Sequence, residues 1–297
     1  MRILNSPDIT DMATDSSDEW QVAPAEWELS NYDEPEIHYR QQVEAFIKPV
    51  TIKSLRKKSF ITIATNVLCA DIDSSKGHVD EIVGDLYLPL EIALTKWSVA
   101  EGKKPQQERT FKSSVWMLNP GTPTRGSICA SRDHQAKHKI SFDLEDPEQN
   151  PYISPDLNQV VKDINSFLLP DRTVFSLSLR HCRQDLGCLK WLNKMTGFKT
   201  RPIRVFSLQD LYVVLIRHIK PEAKKMIGLG VAQFRMEICS EHYNSSLHCD
   251  YHSALANNDT DGDCRFCARN LTVSHTNVLL DDIRNQTDLY VDQTPST

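Results

Sequence analysis

Near the end of the chain, Cys249-Asp250-Tyr251-His252 and, after a polar loop, Cys264-Arg265-Phe266-Cys267 crowd soft-metal ligands into one short stretch. Thiolate and imidazole suit a tetrahedral zinc ion, and a ligand pair separated by two residues can grip one ion from a single turn. Cys239 and His242 form a further pair of the same spacing. Spacing alone therefore leaves the ligand set open, and a local finger built from Cys249, His252, Cys264 and Cys267 is one solution. Two other uses compete: buried thiols beside a hydrogen-bonded histidine, and disulfides, which need an oxidising compartment.

Nothing in the sequence suggests such a compartment. The N-terminus, MRILNSPDIT, has no apolar run before a cleavage site, and no stretch approaches the roughly 20 apolar residues that span a bilayer. The chain is expected to be soluble and intracellular, without membrane contact, and its eight cysteines to stay reduced. On that reading Asn-x-Ser/Thr triplets such as those at Asn244, Asn270 and Asn285 carry no glycosylation meaning. The 297 residues allow one large or two small domains. A net charge of −6 argues against coating nucleic acid by bulk electrostatics. Lys53, Arg56, Lys57 and Lys58, and later Lys194, Lys199, Arg201 and Arg204, nevertheless form local basic groups.

These residues need elements to position them. Residues 1–36 are acidic and lack apolar periodicity, which predicts a disordered lead-in. Ile37, Val43, Phe46 and Ile47 mark a short helix that Pro49 ends, and with the basic linker this accounts for residues 37–57. The compact domain is expected over 58–272 and a C-terminal tail over 273–297. Phe60–Thr65, Leu90–Val99 and Phe111–Leu118 read as successive strands. A helix capped by Ser154, with Pro155 at its first position, carries Leu157, Val160, Val161, Ile164, Phe167 and Leu168. Thr173–Leu179 reads as a buried strand, and Leu186, Leu189, Leu192 and Met195 mark a helix closed by Gly197. Ile203–Phe206 is a further strand, and Ser207 caps a helix carrying Leu208, Leu211, Leu215 and His218. The order β-β-β-α-β-α-β-α predicts an α/β fold, a mixed sheet flanked by helices in the ribonuclease H-like layout.

Leu88-Pro89-Leu90-Glu91-Ile92-Ala93-Leu94, the Ser98 to Gly102 segment, the Asn119-Pro120-Gly121 turn with Pro123, His138-Lys139-Ile140 and the terminal Cys249, His252 and Cys267 occur in the order of the Maelstrom family domain. Residues 58–272 resemble that domain. The resemblance implies a ribonuclease H-like fold related to exonucleases, a Glu-Cys-His-Cys zinc site and a role in the piRNA pathway of germ cells. It further implies piRNA-pathway proteins as partners, and both perinuclear cytoplasmic granules and the nucleus as locations. By position the ligands are Glu91, Cys249, His252 and Cys267, a closed set that makes the zinc structural. Many members carry an N-terminal high-mobility-group box. This chain has an acidic segment there, so DNA binding through such a box is not expected. The spacer between His252 and Cys267 is long and holds Cys264.

Exonucleases of this fold hold two magnesium ions with four acidic residues and a histidine. Their first acidic pair corresponds here to Ala64-Thr65-Asn66, which offers no carboxylate; Asp185 is kept, and the last pair reads His252 and Asn257. Two-metal hydrolysis is therefore expected to be absent, and Asp185 is read as a helix N-terminal carboxylate that complements the dipole. His138, Lys139 and His181 are candidates for metal-free acid–base chemistry on a ribose 2′-hydroxyl, although no spacing specifies catalysis and the catalytic residues stay unassigned.

Three functions compete. The first is a single-stranded RNA-binding domain acting in piRNA-mediated transposon silencing. Its surface would be Arg180, Arg183, Lys190, Lys194, Lys199 and Arg201, with Trp191 or Tyr251 as exposed aromatics. The second is a protein-interaction scaffold without nucleic-acid contact, and the third a metal-independent endoribonuclease specific for single strands.

Overall fold

The computed structural model describes residues 35–70, 87–121, 128–140, 150–170, 172–197, 203–222, 228–241, 247–258 and 265–286. Strand β1 (Ser59–Ala70) pairs antiparallel with β2 (Tyr87–Ser98), and β2 antiparallel with β3 (Lys112–Met117). On its other side β1 lies parallel to β4 (Thr173–Ser176), which is parallel to β5 (Arg204–Ser207). The order β3-β2-β1-β4-β5 makes one mixed sheet.

Because side chains alternate along a strand, register assigns each residue to a face. Opposite Leu94 lies Ile63, and opposite Ile92 lies Thr65. This face, with Ile61 and Leu90, packs under α4 (Leu157–Phe167) and α5 (Leu179–Thr196) through Val160, Val161, Ile164, Leu189 and Leu192. The other face carries the pairs Phe60–Trp97, Thr62–Thr95, Ala64–Ala93 and Asn66–Glu91. Its lower end is aromatic: Phe60 stacks on Trp97 at 4.9 Å and meets Phe175 edge-on. That end is covered by α6 (Leu208–Ile219), α7 (Leu229–Glu241) and the first described helix, α1 (Pro35–Ile47), with the short α2 (Ile52–Leu55) alongside.

Along the middle of this second face the sheet residues are small and polar. This lets α9 (Ala268–Gln286) lie close, with Thr276 hydrogen-bonded to Thr62 at 3.1 Å and Thr272 to Thr95 at 2.7 Å. Beyond them, Leu279, Leu280 and Ile283 enter the aromatic cluster. Arg109, buried, donates to the Asn277 carbonyl and Oδ1 and to Asp281, and Tyr212 donates to Asp282 at 2.9 Å. The helix is thereby fixed at its far end as well.

Strands and central helices form where expected, with Gly197 in the left-handed conformation closing α5 and the Ser207 hydroxyl accepting from Gln209 and Asp210. Four readings change. The boundary at 272 falls inside α9, so at least residues 273–286 are core and not tail. The buried stripe of α9 is built from Thr272, Thr276, Asn270 and Asn277 as much as from leucines, which hides it from apolar periodicity. The helix and linker at 37–57 are part of the packed body, with Val43, Ile47 and Leu55 buried and Arg40 donating to Asp210 at 3.3 Å. Leu179, assigned to a strand, opens α5, and α4 is capped by Asp156, which accepts from the Asn158 N–H at 2.8 Å, in place of Ser154. If α9 is core, Leu280→Ala should cost about 2–5 kcal/mol in urea unfolding, whereas a tail residue would cost almost nothing.

Candidate metal centre

Four side chains from distant parts of the chain converge at the upper end of the second sheet face. Glu91 comes from β2 and His252 from the first turn of α8 (Asp250–Asn258), while Cys249 and Cys267 immediately precede α8 and α9. Their ligand atoms all lie within 4.8 Å of one another, and all four residues are buried. The Cys249 Sγ is 3.0 Å from His252 Nδ1, which is 3.6 Å from Glu91 Oε1; Cys267 Sγ is 3.7 Å from the same oxygen. Zinc–nitrogen and zinc–sulfur bonds of about 2.0 and 2.3 Å set ligand–ligand edges of roughly 3.3–3.8 Å in a tetrahedron, close to these separations.

The surrounding bonds aim each ligand inward. Glu91 Oε2 accepts the Asn66 amide at 2.7 Å and the Ala268 N–H at 2.9 Å, leaving Oε1 facing the centre. His252 Nε2 lies 3.0 Å from the His138 carbonyl, to which it can only donate, leaving the Nδ1 lone pair directed at the sulfur atoms. His138, the last residue of α3 (Ile128–His138), is itself fixed. Its Nδ1 accepts from the Ile140 N–H at 3.1 Å and its Nε2 donates to the Val67 carbonyl at 3.3 Å. Such outer partners commonly set the orientation and basicity of metal ligands. Burial pushes the His138 imidazole down to about 4. It is therefore a neutral post rather than the acid–base candidate expected.

Burial favours a neutral Glu91, but the hydrogen bonds and charge of His252 and the Ala268 N–H outweigh it and hold the carboxyl below its usual range. Burial also opposes a charged His252, yet bonds to Cys267 and Glu91 raise it to about 11. The Cys267 thiol, hydrogen-bonded by Cys249, falls to about 6, and the Cys249 thiol is pushed up. A metal must thus displace protons from His252 and Cys249, so its affinity rises with pH.

The remaining sequence candidates separate. Arg180 and Lys194 are exposed and Arg183 and Lys190 half-buried, all four on α5 within an arc of about 80° at 100° per residue. Trp191, expected to be exposed, is buried in the first-face core. Tyr251 is half-buried. His181 is half-buried, 2.7 Å from the Ser178 hydroxyl, and burial lowers it to about 4. Lys199, Arg201, Cys264 and His242, together with the side chains of Cys239 and Asn257, lie outside the described residues.

Asp185 is not a carboxylate at the helix end. It sits in the second turn of α5, fully buried, and accepts from the Thr65 hydroxyl at 2.7 Å, while its Oδ2 meets no donor among the described residues. Burial raises it to about 7, against the pull of the nearby Ser176 and Thr65.

A sequence model described as "Maelstrom: piRNA pathway germ-plasm component" matches residues 80–297, more than half of the chain. The chain belongs to the Maelstrom family. No curated protein matches it. Among solved structures, the Maelstrom chain is similar to the RNase domain of the yeast Pop2 protein, at 12% identity and a TM-score of 0.40, over 86% of this chain and 89% of that one. The four metal-ligand positions that the family resemblance implies are the four that the fold brings together. Sequence reasoning missed the outer partners Asn66 and His138. Asn66 had a readable signal, since pairing β1 with β2 places it opposite Glu91.

Two outcomes follow. Metal content should fall to zero in Glu91→Ala or Cys249→Ser, and Asn66→Ala should weaken affinity about 10- to 100-fold in a competition titration. Full occupancy in Glu91→Ala with loss in Cys264→Ser would instead place the ion in a local finger. For Asp185, a folded value near 7 against an ordinary 3.8 means the folded state keeps a proton that the unfolded chain releases. Its contribution is present below about pH 4 and lost as pH rises towards 7, on the order of 4 kcal/mol in all. Asp185→Asn should abolish that slope and exceed wild-type stability above pH 7 in chemical denaturation.

Proposed function

We propose that this Maelstrom-family domain binds single-stranded RNA on a degenerate, ribonuclease H-like nuclease fold, built around a structural zinc ion, and serves piRNA-mediated transposon silencing. The observation that carries the reading is the upper end of β1. Where two-metal nucleases place their first carboxylates, this chain has Thr65 and Asn66, and both are committed. The Thr65 hydroxyl is spent on Asp185, and the Asn66 amide on Glu91 and, at 2.8 Å, on the Phe266 carbonyl. Glu91, the acid beside them, faces two thiols and an imidazole, a donor set that suits zinc over magnesium. When bound, zinc would supply a fixed cross-link between β2, α8 and α9; with four protein ligands it leaves no position for an activated water.

The strand order and the mixture of antiparallel and parallel pairing support the ribonuclease H-like assignment. For RNA, the support is the stripe of Arg180, Arg183, Lys190 and Lys194 along α5, which offers successive phosphates one cationic flank; Lys199 and Arg201 would extend it. The family's description as a piRNA-pathway germ-plasm component supports pathway proteins as partners, and germ granules and the nucleus as the places of action.

Replacing Arg180, Arg183, Lys190 and Lys194 with alanine should weaken binding of a labelled single strand. It should also flatten the slope of log affinity against log salt by up to about 3, at roughly 0.7 per phosphate contact. Bound and intact RNA in magnesium and in chelator is the expected result. Cleavage in chelator would establish the metal-independent ribonuclease, and absence of binding would leave the scaffold.

A further inference from the structure

The candidate metal cluster fixes more than the core, because three of the residues that form it, Cys249, His252 and Cys267, each adjoin an exposed or half-buried residue, whereas Glu91 lies in a strand stretch that stays buried. Tyr251 precedes the ligand His252, and their rings meet edge to face at 5.3 Å and 90°. Tyr152, 39% exposed, lies in the stretch just before α4 and meets Tyr251 at 5.8 Å and 80°. That stretch is anchored to the edge of β3, where the Ser154 N–H donates to the Met117 carbonyl at 2.8 Å. The order His252, Tyr251, Tyr152 is thus an aromatic stack of alternating orientation that starts at a buried ligand and ends in solvent.

Cations flank it. Lys139 follows His138, whose carbonyl receives His252 Nε2, and it is exposed with φ of 59°, in the left-handed region that a residue with a Cβ seldom occupies. Such a conformation persists only where the surroundings over-determine it, and here the neighbouring His138 is bonded through both ring nitrogens and its carbonyl. Arg265, also exposed, lies two residues before Cys267. Among the described residues, the exposed carboxylates next to these rings in sequence are Asp250, beside Tyr251, and Asp156, four residues after Tyr152.

We propose that Tyr152 and Tyr251 form a nucleobase-stacking platform for single-stranded RNA, with Lys139 and Arg265 contacting the flanking phosphates. Tyrosine rings present a π-face that every base can use, so the platform is tolerant of sequence, and the adjoining cations complement a polyanion. The inference rests on the RNA-binding reading above and adds a second part to it: the α5 stripe contributes charge, and the platform contributes recognition of bases.

The two parts separate experimentally. A labelled oligouridine and an abasic strand of equal length are titrated against the full chain by fluorescence anisotropy, with metal content checked in each variant. The wild type should bind the base-bearing strand about tenfold more tightly. Tyr152→Ala, at an exposed position, should erase that preference and leave the salt dependence unchanged. Tyr251→Phe should keep the preference, and Tyr251→Leu with its metal retained should lose it. The α5 alanine variant should show the converse, a flattened salt dependence with the preference kept. Equal binding of both strands by the wild type, or an undiminished preference in Tyr152→Ala, overturns the platform while leaving RNA binding intact. Binding of neither strand overturns the RNA reading, and the platform with it.

Discussion

A buried carboxylate with no metal or proton on it is costly, and the fold is arranged so that Glu91 never stands alone. One of its oxygens is satisfied by the Asn66 amide and by the first N–H of α9, and the other faces His252 and Cys267. The bond from Ala268 gives the N-terminus of α9 a negative charge to complement its dipole, supplied by a residue almost the whole domain away in sequence. Through this one side chain the central antiparallel pair is joined to the two last helices. Deleting it would leave one amide hydrogen of Asn66, a helix end and a candidate metal-ligating histidine without this counterpart.

Downstream of that anchor, α9 is seated by hydroxyl groups. Thr272 donates to the Arg269 carbonyl at 2.9 Å, so its oxygen must accept from Thr95, and Thr95 in turn must accept from Ser113 at 2.9 Å. Each hydroxyl has one proton to give, and the direction of the whole chain follows from its last link. In parallel, the Trp97 indole donates to Thr62 at 2.9 Å, and Thr62 shares a bond with Thr276. A small apolar contact of Ala268 and Leu271 with Ala64, Ala93 and Leu177 comes before these pairs, and the larger grip of Leu279, Leu280 and Ile283 past them. The same helix thus receives specificity at one end and most of its hydrophobic stabilisation at the other.

This division explains what is readable from the sequence. The strands at 60–65, 90–99 and 111–118 and the helices around Val160 and Leu211 show clear apolar patterns, because they form the two aliphatic and aromatic cores. The ligand set is legible through family resemblance; spacing alone does not choose between Glu91 and Cys264, since Glu91 is distant in sequence. The last helix is invisible because its buried face is threonine and asparagine, residues that periodicity treats as solvent-facing. The basic residues of α5 conceal its first two turns in the same way, and Asp185 is misplaced because the helix begins at Leu179 rather than near Leu186. Trp191 reads as exposed because lysines surround it in sequence, though its own position on the helix turns inward.

The threonine seating has one more effect. An interface of valines and leucines would tolerate a helix sliding by a fraction of a turn, because the dispersion attraction forfeited on one side is regained on the other. Paired hydroxyls have no such latitude: displacement along the axis by one residue rise, about 1.5 Å, parts every donor from its acceptor at once. The sheet therefore works as a vernier, dictating the phase of α9, and through that phase the spot at which the sulfur of Cys267 comes to rest.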